Sequence, residues 1–173
     1  FRLNFDLDCK GPEWSPEIQD SFATALTATV TRFLPSLERK DKTFAIILCT
    51  APPQPIEENV VKNGVHLIMP NCVVNREMML SVLEVFKTEL RRAFPDWSDD
   101  WDTVCDASVY AGPTSGLRMI GSHKMQNCQH CKNQTERKKT CSHCCNAGKV
   151  DIGRPYKIHR AYLGSEFDAE YTQ

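Results

Sequence analysis

This chain has no apolar run approaching the roughly 20 residues that a helix needs to cross a bilayer, so no membrane partner is expected. Its longest such stretch, Phe44 to Cys49, has the length of one buried strand. A basic-then-apolar leader is missing, as are internal repeats and low-complexity tracts, which leaves one folded domain of ordinary composition as the expectation. The phosphate-loop pattern G-x-x-x-x-G-K-[ST] does not occur, so any ATP-driven motor would lie outside these residues.

Net charge is nearly absent too, at −1 over 173 residues, but the balance conceals an asymmetry. Pro113 to Ala161 holds ten Lys/Arg against two Asp/Glu, a net of +8, so the remainder carries −9. A basic segment beside an acidic body suits a protein that meets a polyanion on one side and holds cations on the other; a merely solvated surface is the plainer alternative. Cysteine is the residue in excess. Four of the nine stand singly (Cys9, Cys49, Cys72 and Cys105) and five crowd between Cys128 and Cys145. An odd count, in regular pairs, points to reduced thiols and a metal, hence an intracellular, reducing compartment.

The pattern predicts an α+β domain. Phe1 to Cys9 alternates apolar and polar side chains as a half-buried strand does. Ser15-Pro16-Glu17 supplies a helix start, followed by Ile18, Phe22, Ala25, Leu26, Thr29 and Phe33 at helical spacing. After a charged turn at Glu38 to Lys42 come the strand Phe44 to Cys49 and a Pro-rich loop, Ala51 to Ile56. Gly64 to Met69 reads as a strand stopped by Pro70, Asn75 to Phe94 as the clearest helix, and Trp97 to Trp101 as an acidic connector. Ala107–Ala111 and Gly116–Ile120 are expected to form a hairpin about Gly112-Pro113-Thr114-Ser115, with later strands at Lys149–Ile152 and Tyr156–Leu163.

Asp6-Leu7-Asp8 puts two carboxylates on one face of a strand, because side chains alternate with period two. Such a pair repels itself unless a hard cation such as Mg²⁺ or Mn²⁺ neutralises it; an exposed, solvated pair is the commoner case. His66 lies in the apolar run Gly64 to Met69, as either a core imidazole or a contact to phosphate or metal. Asp106 offers a third acid at the mouth of a strand, and Arg118 and Lys124 follow across the hairpin. Three acids can hold two divalent ions for an in-line displacement, and the three cations His66, Arg118 and Lys124 would grip a triphosphate. Cys128-x-x-Cys131 and Cys141-x-x-Cys144 give four thiolates at structural-zinc spacing. Cys145 could replace Cys144, and His130 and His143 are weaker ligand candidates. Between the pairs, Lys132, Arg137, Lys138 and Lys139 would make a phosphate-contacting finger.

The order D-x-D, strand-borne His, D-x-x-V-Y and L-R-M-I-G-S-H-K resembles the archaeo-eukaryotic primase superfamily. It is most similar to primase–polymerases and to primase domains of helicase–primases in large nucleocytoplasmic DNA viruses. The resemblance runs from Phe1 to about Tyr156 and implies an RRM-like antiparallel sheet with flanking helices and a zinc-knuckle insertion at about 125–148. It implies Asp6, Asp8 and Asp106 as metal-binding acids, with His66, Arg118, Ser122 and Lys124 on the incoming nucleotide. Single-stranded DNA and nucleoside triphosphates would be the partners, with a helicase domain elsewhere in a longer chain of which residues 1–173 are one domain. A viral relative would act in the host cytoplasm or nucleus. One departure is visible: many members carry Ser or Thr two residues before the histidine, where this chain has Gly64. An idle nucleic-acid-binding module and a two-metal nuclease are the alternative readings.

Overall fold

The computed structural model describes residues 2–34, 44–112, 115–131 and 140–163. The charged turn at Glu38–Lys42 and the basic finger Lys132–Lys139 lie outside the described residues.

Alternation builds the first strand. In β1 (Arg2–Gly11), Leu3, Phe5, Leu7 and Cys9 are fully buried while Asn4, Asp6 and Asp8 on the other face stay half-exposed. Helix α1 (Pro16–Phe33) follows, with Pro at its first position, where the missing N–H costs nothing. Ser15 stands at the N-cap in extended conformation without capping the helix through its side chain. Strands β2 (Ala45–Glu57) and β3 (Val60–Val73) form a long hairpin. Its turn is closed by Asn59 at φ 62°, a left-handed conformation that Asn tolerates better than most residues. Helix α2 (Arg76–Ala93) is capped by Asn75, whose side chain accepts the Met78 N–H at 2.8 Å. A short helix α3 (Trp101–Val104), a 3₁₀ turn (Ala107–Tyr110), the small pair β4 (Met125–Asn127) and β5 (Lys149–Asp151), and β6 (Lys157–Leu163) complete the described chain.

The main sheet has the order β1-β3-β2-β6, antiparallel throughout. One continuous core joins Leu3, Phe5 and Leu7 of β1, Ile46 and Leu48 of β2, and Val65, Leu67 and Met69 of β3 to both long helices. Phe5 meets Phe86 of α2 with ring centroids 4.6 Å apart. Burying each such side chain contributes about 1.5–3 kcal/mol. Trp14, Phe22, Phe94, Trp97 and Trp101 pack into an aromatic cluster at one end of the helices. The sheet's other face bears no long helix among the described residues, and that face carries Asp6, Asp8 and His66.

Four expectations change. The Pro-rich stretch is strand, not loop: the ladder skips Pro52 and Pro53, which have no N–H to donate, and resumes at Gln54. Pro70 does not stop β3, because the strand bulges between Met69 and Val73 and the Arg2 side chain donates to the Pro70 carbonyl at 3.0 Å. Residues 107–110 make a 3₁₀ turn and 116–119 no regular structure, so the expected hairpin is absent among the described residues. Trp101 opens α3 rather than ending a connector.

Candidate functional site

Register brings the first acid to the histidine. Asp6 is the Cα partner of His66 across β1 and β3, and Asp8 that of Gly64. His66 is 1% exposed, with Nε2 3.3 Å from Asp6 Oδ1. The third acid arrives along the outer edge of β1. Cys105 bridges to Leu7, and the Asp106 N–H donates to the Asp6 carbonyl at 3.0 Å. Asp106 is therefore not at the mouth of a strand. It caps the 3₁₀ turn, its Oδ1 accepting from the Ser108 N–H at 2.8 Å. Tyr110, whose phenol donates to the Asn4 carbonyl, pins the turn to the strand.

Asp6, His66, Asp106 and Arg118 line one cleft of about 360 Å³, with Ser108 and Ser115 on its wall. Asp6 Oδ1 is buried and has no hydrogen-bond partner among the described residues. Its nearest cationic group is His66 Nε2 at 3.3 Å, and with Asp106 beside it the oxygen donors suit a hard divalent ion. Asp8 is placed differently: it is ion-paired with Lys62 at 2.8 Å and does not line this cleft.

The cations converge from the far end of the chain. Arg118 Nη1 donates to the Arg154 carbonyl at 2.8 Å, and its guanidinium lies 4.8 Å from the Tyr156 ring centroid. Tyr156, 3% exposed, stacks on His66 with centroids 3.4 Å apart and planes 21° from parallel. Arg154, at φ 55°, grips the β2–β3 hairpin through Pro52 O at 2.8 and 3.0 Å and Gln54 Oε1 at 2.6 Å. Lys124 has its pKa lowered by partial burial and by neighbouring Lys62, Arg154 and Arg118, with Asp8 opposing. Crowded cations of this kind favour an anion among them. Neither Lys124 nor Ser122 lines the acid cleft; Ser122 closes a turn, its N–H donating to Met119 O at 3.0 Å.

Sequence reasoning missed Lys62, Arg154 and Tyr156. Period-two spacing could have found the first, since Lys62, Gly64 and His66 share one face of β3. Nothing in the local pattern marks the other two, which reach the site only through tertiary return of the chain.

Cys128, Cys131, Cys141 and Cys144 form the second centre, all four sulfurs within 4.8 Å of one another. Cys128–Cys141 and Cys131–Cys144 are separated by 3.8 and 3.9 Å, close to the ~3.8 Å that tetrahedral Zn–S bonds of about 2.3 Å require. Backbone N–H groups of Cys131 and His130 pull the Cys128 thiol down to about 7. Burial, and then hydrogen bonds with the neighbouring thiols, push Cys144 up to about 11, with the Gly148 N–H opposing. The quartet could therefore bind zinc. Cys145 is exposed and turned to Ser142 O, and the His130 and His143 rings meet at a tilt of 41° with centroids 4.2 Å apart.

Acids and cations thus gather on one sheet face, and a four-cysteine quartet that could hold a metal ion lies further along the chain. Residues 1–135 match the family model of the C962R protein N-terminal AEP domain, and the chain belongs to that family, within the archaeo-eukaryotic primase superfamily. No curated protein and no solved structure matches it. The match ends before Cys141, so the second cysteine pair, Arg154 and Tyr156 lie beyond it. No helix among the described residues is long and apolar enough to cross a membrane.

Proposed function

We propose that the chain is the catalytic domain of a primase–polymerase that joins nucleotides on a single-stranded DNA template in DNA replication. The observation that carries this reading is the meeting of Asp6, Asp106, His66 and Arg118 in one cleft. Asp6, Asp8 and Asp106 would hold Mg²⁺ or Mn²⁺, which when bound activates the attacking hydroxyl and neutralises the leaving pyrophosphate. Asp8 would exchange Lys62 for that ion. His66, Arg118, Ser122 and Lys124 contact the triphosphate, Arg118 as the planar donor able to grip two oxygens at once.

Zinc in the cysteine quartet is structural and closes an insertion at about 125–148 that has little core of its own. The β-α-β-β-α order of the first five elements, with β3 between β1 and β2, supports an RRM-like reading of the sheet, although β6 adds on the β2 side. A helicase domain in the same longer chain is the expected partner. The compartment is intracellular and reducing, in host cytoplasm or nucleus if the source is viral.

The Asp8–Lys62 pair favours one second reading, because it neutralises one of the three acids without a metal. In that reading the domain is a catalytically idle nucleic-acid-binding module. Incubation with single-stranded DNA, labelled nucleoside triphosphates and Mn²⁺ separates the two. Metal-dependent products that vanish in Asp106→Ala are expected; no product together with no metal-dependent nucleotide binding supports the idle module.

A further inference from the structure

We infer that Tyr156 is a positioning residue of the nucleotide site, holding His66 and Arg118 in place, and that Gly64 is glycine because the Tyr156 hydroxyl occupies the space of a side chain there. The inference rests on the proposed reading that His66 and Arg118 meet the triphosphate.

A histidine that contacts a ligand through one ring nitrogen is ordinarily oriented by a hydrogen bond at the other. Here His66 Nδ1 is buried without a hydrogen-bond partner among the described residues. Nε2 faces Asp6 Oδ1 at 3.3 Å, and the plane of the ring is fixed by the face-to-face stack on Tyr156 at 3.4 Å. The same phenol ring offers its π-surface to Arg118, 4.8 Å from the centroid, while the Arg154 carbonyl holds one guanidinium nitrogen. Tyr156 is itself held by backbone, its carbonyl accepting the Gly121 N–H at 2.8 Å. Burial, and then Asp6 and Asp8, raise its pKa, so the phenol stays neutral.

A Cβ built on Gly64 would lie 2.6 Å from the Tyr156 hydroxyl and 3.3 Å from the ring carbon that bears it. The first distance is a clash and the second a tight contact, so removing the hydroxyl should make an alanine at Gly64 tolerable. The position that carries Ser or Thr in many proteins this chain resembles is thus closed to a side chain by a tyrosine from beyond the matched region.

Equilibrium binding of a nucleoside triphosphate with Mn²⁺, KM and kcat for synthesis, and Tm test both halves in the purified chain. Tyr156→Leu is expected to weaken binding and raise KM about tenfold, with kcat changed far less, whereas Tyr156→Phe keeps both constants within about twofold of the parent. Gly64→Ala should weaken binding and lower Tm, and adding Tyr156→Phe should restore both; this arm stands even if Tyr156→Leu does not fold. Unchanged binding in Tyr156→Leu, or equal losses for Gly64→Ala with either residue at 156, overturns the inference. If His66→Ala and Arg118→Ala bind nucleotide as the parent does, the triphosphate reading falls, and the positioning role with it.

Discussion

The two faces of the sheet are made by the same strands and obey opposite rules. On the helix side, Phe5 and its neighbours are sealed in a continuous apolar core. On the open side, one residue further along, Asp6 carries a buried oxygen with no hydrogen-bond partner among the described residues. A core residue adds to stability through area removed from water; a carboxylate oxygen buried without a hydrogen bond subtracts from it. Stability and chemistry are thus separated by a single step along β1.

Adjacent substitutions give the largest test of that contrast. Phe5→Ala should cost about 3–5 kcal/mol, through lost transfer energy and the cavity left against Phe86, read from urea melts. Asp6→Ala should leave the melt unchanged or raise it, while synthesis falls by about a hundredfold or more. A marked loss of stability in Asp6→Ala would break the division between the faces.

Next in size is Cys131→Ser, expected to take bound zinc from one equivalent to none by elemental analysis and to lower Tm by roughly 6–12 °C. A full equivalent of metal in the variant would show that the quartet is not the site.

The smallest effect concerns charge on the helix side. Lys87 is 7% exposed, and its Nζ lies 2.6 Å from both Asp102 and Glu84. Burial opposes its charge, but hydrogen bonds to Asp102 and Glu84 prevail and raise its pKa. The hydrogen bond from Lys87, then its charge, holds the Asp102 carboxyl below its usual range. The lysine contribution is therefore present below the ordinary lysine pKa and lost as pH rises through the higher folded value. The aspartate contribution is present above the ordinary carboxylate pKa and lost as pH falls through the lower folded one. Lys87→Met should cost at most about 1 kcal/mol near neutrality, since both acids are exposed and screened, and should flatten both limbs of a Tm-against-pH curve. Limbs as steep as the parent's would assign the pH dependence elsewhere.

How far the sequence could be read follows the range of the forces involved. Alternation marked β1, helical spacing and Asn75 marked α2, and the C-x-x-C pairs marked the sulfur quartet, all within a few residues of chain. Prolines misled twice, because a bulge lets a ladder pass a residue with no N–H, as at Pro52–Pro53 and near Pro70. Asp106 was legible as an acid but not as a cap, since a 3₁₀ turn of four residues has no period to detect. Asp6, His66, Asp106 and Arg118 meet in one cleft, while Asp8, Ser122 and Lys124 stand outside it, which depends on pairings far apart in sequence. Tyr156 was invisible for the same reason: its partners are Gly64, His66 and Arg118.

Between Arg118 and Tyr156 the chain makes a long excursion whose base is zipped by Gly121 N–Tyr156 O, Lys124 N–Gly153 O and Ile152 N–Lys124 O bonds of 2.8, 2.8 and 3.0 Å. The four sulfurs lie near the middle of that excursion. In polymer terms they are a clasp. Tying a loop of this size removes configurational entropy from the open chain worth on the order of 3 kcal/mol. A metal in the quartet would then act on the acid cleft through the statistics of return, raising the fraction of time that Arg118 and Tyr156 arrive together.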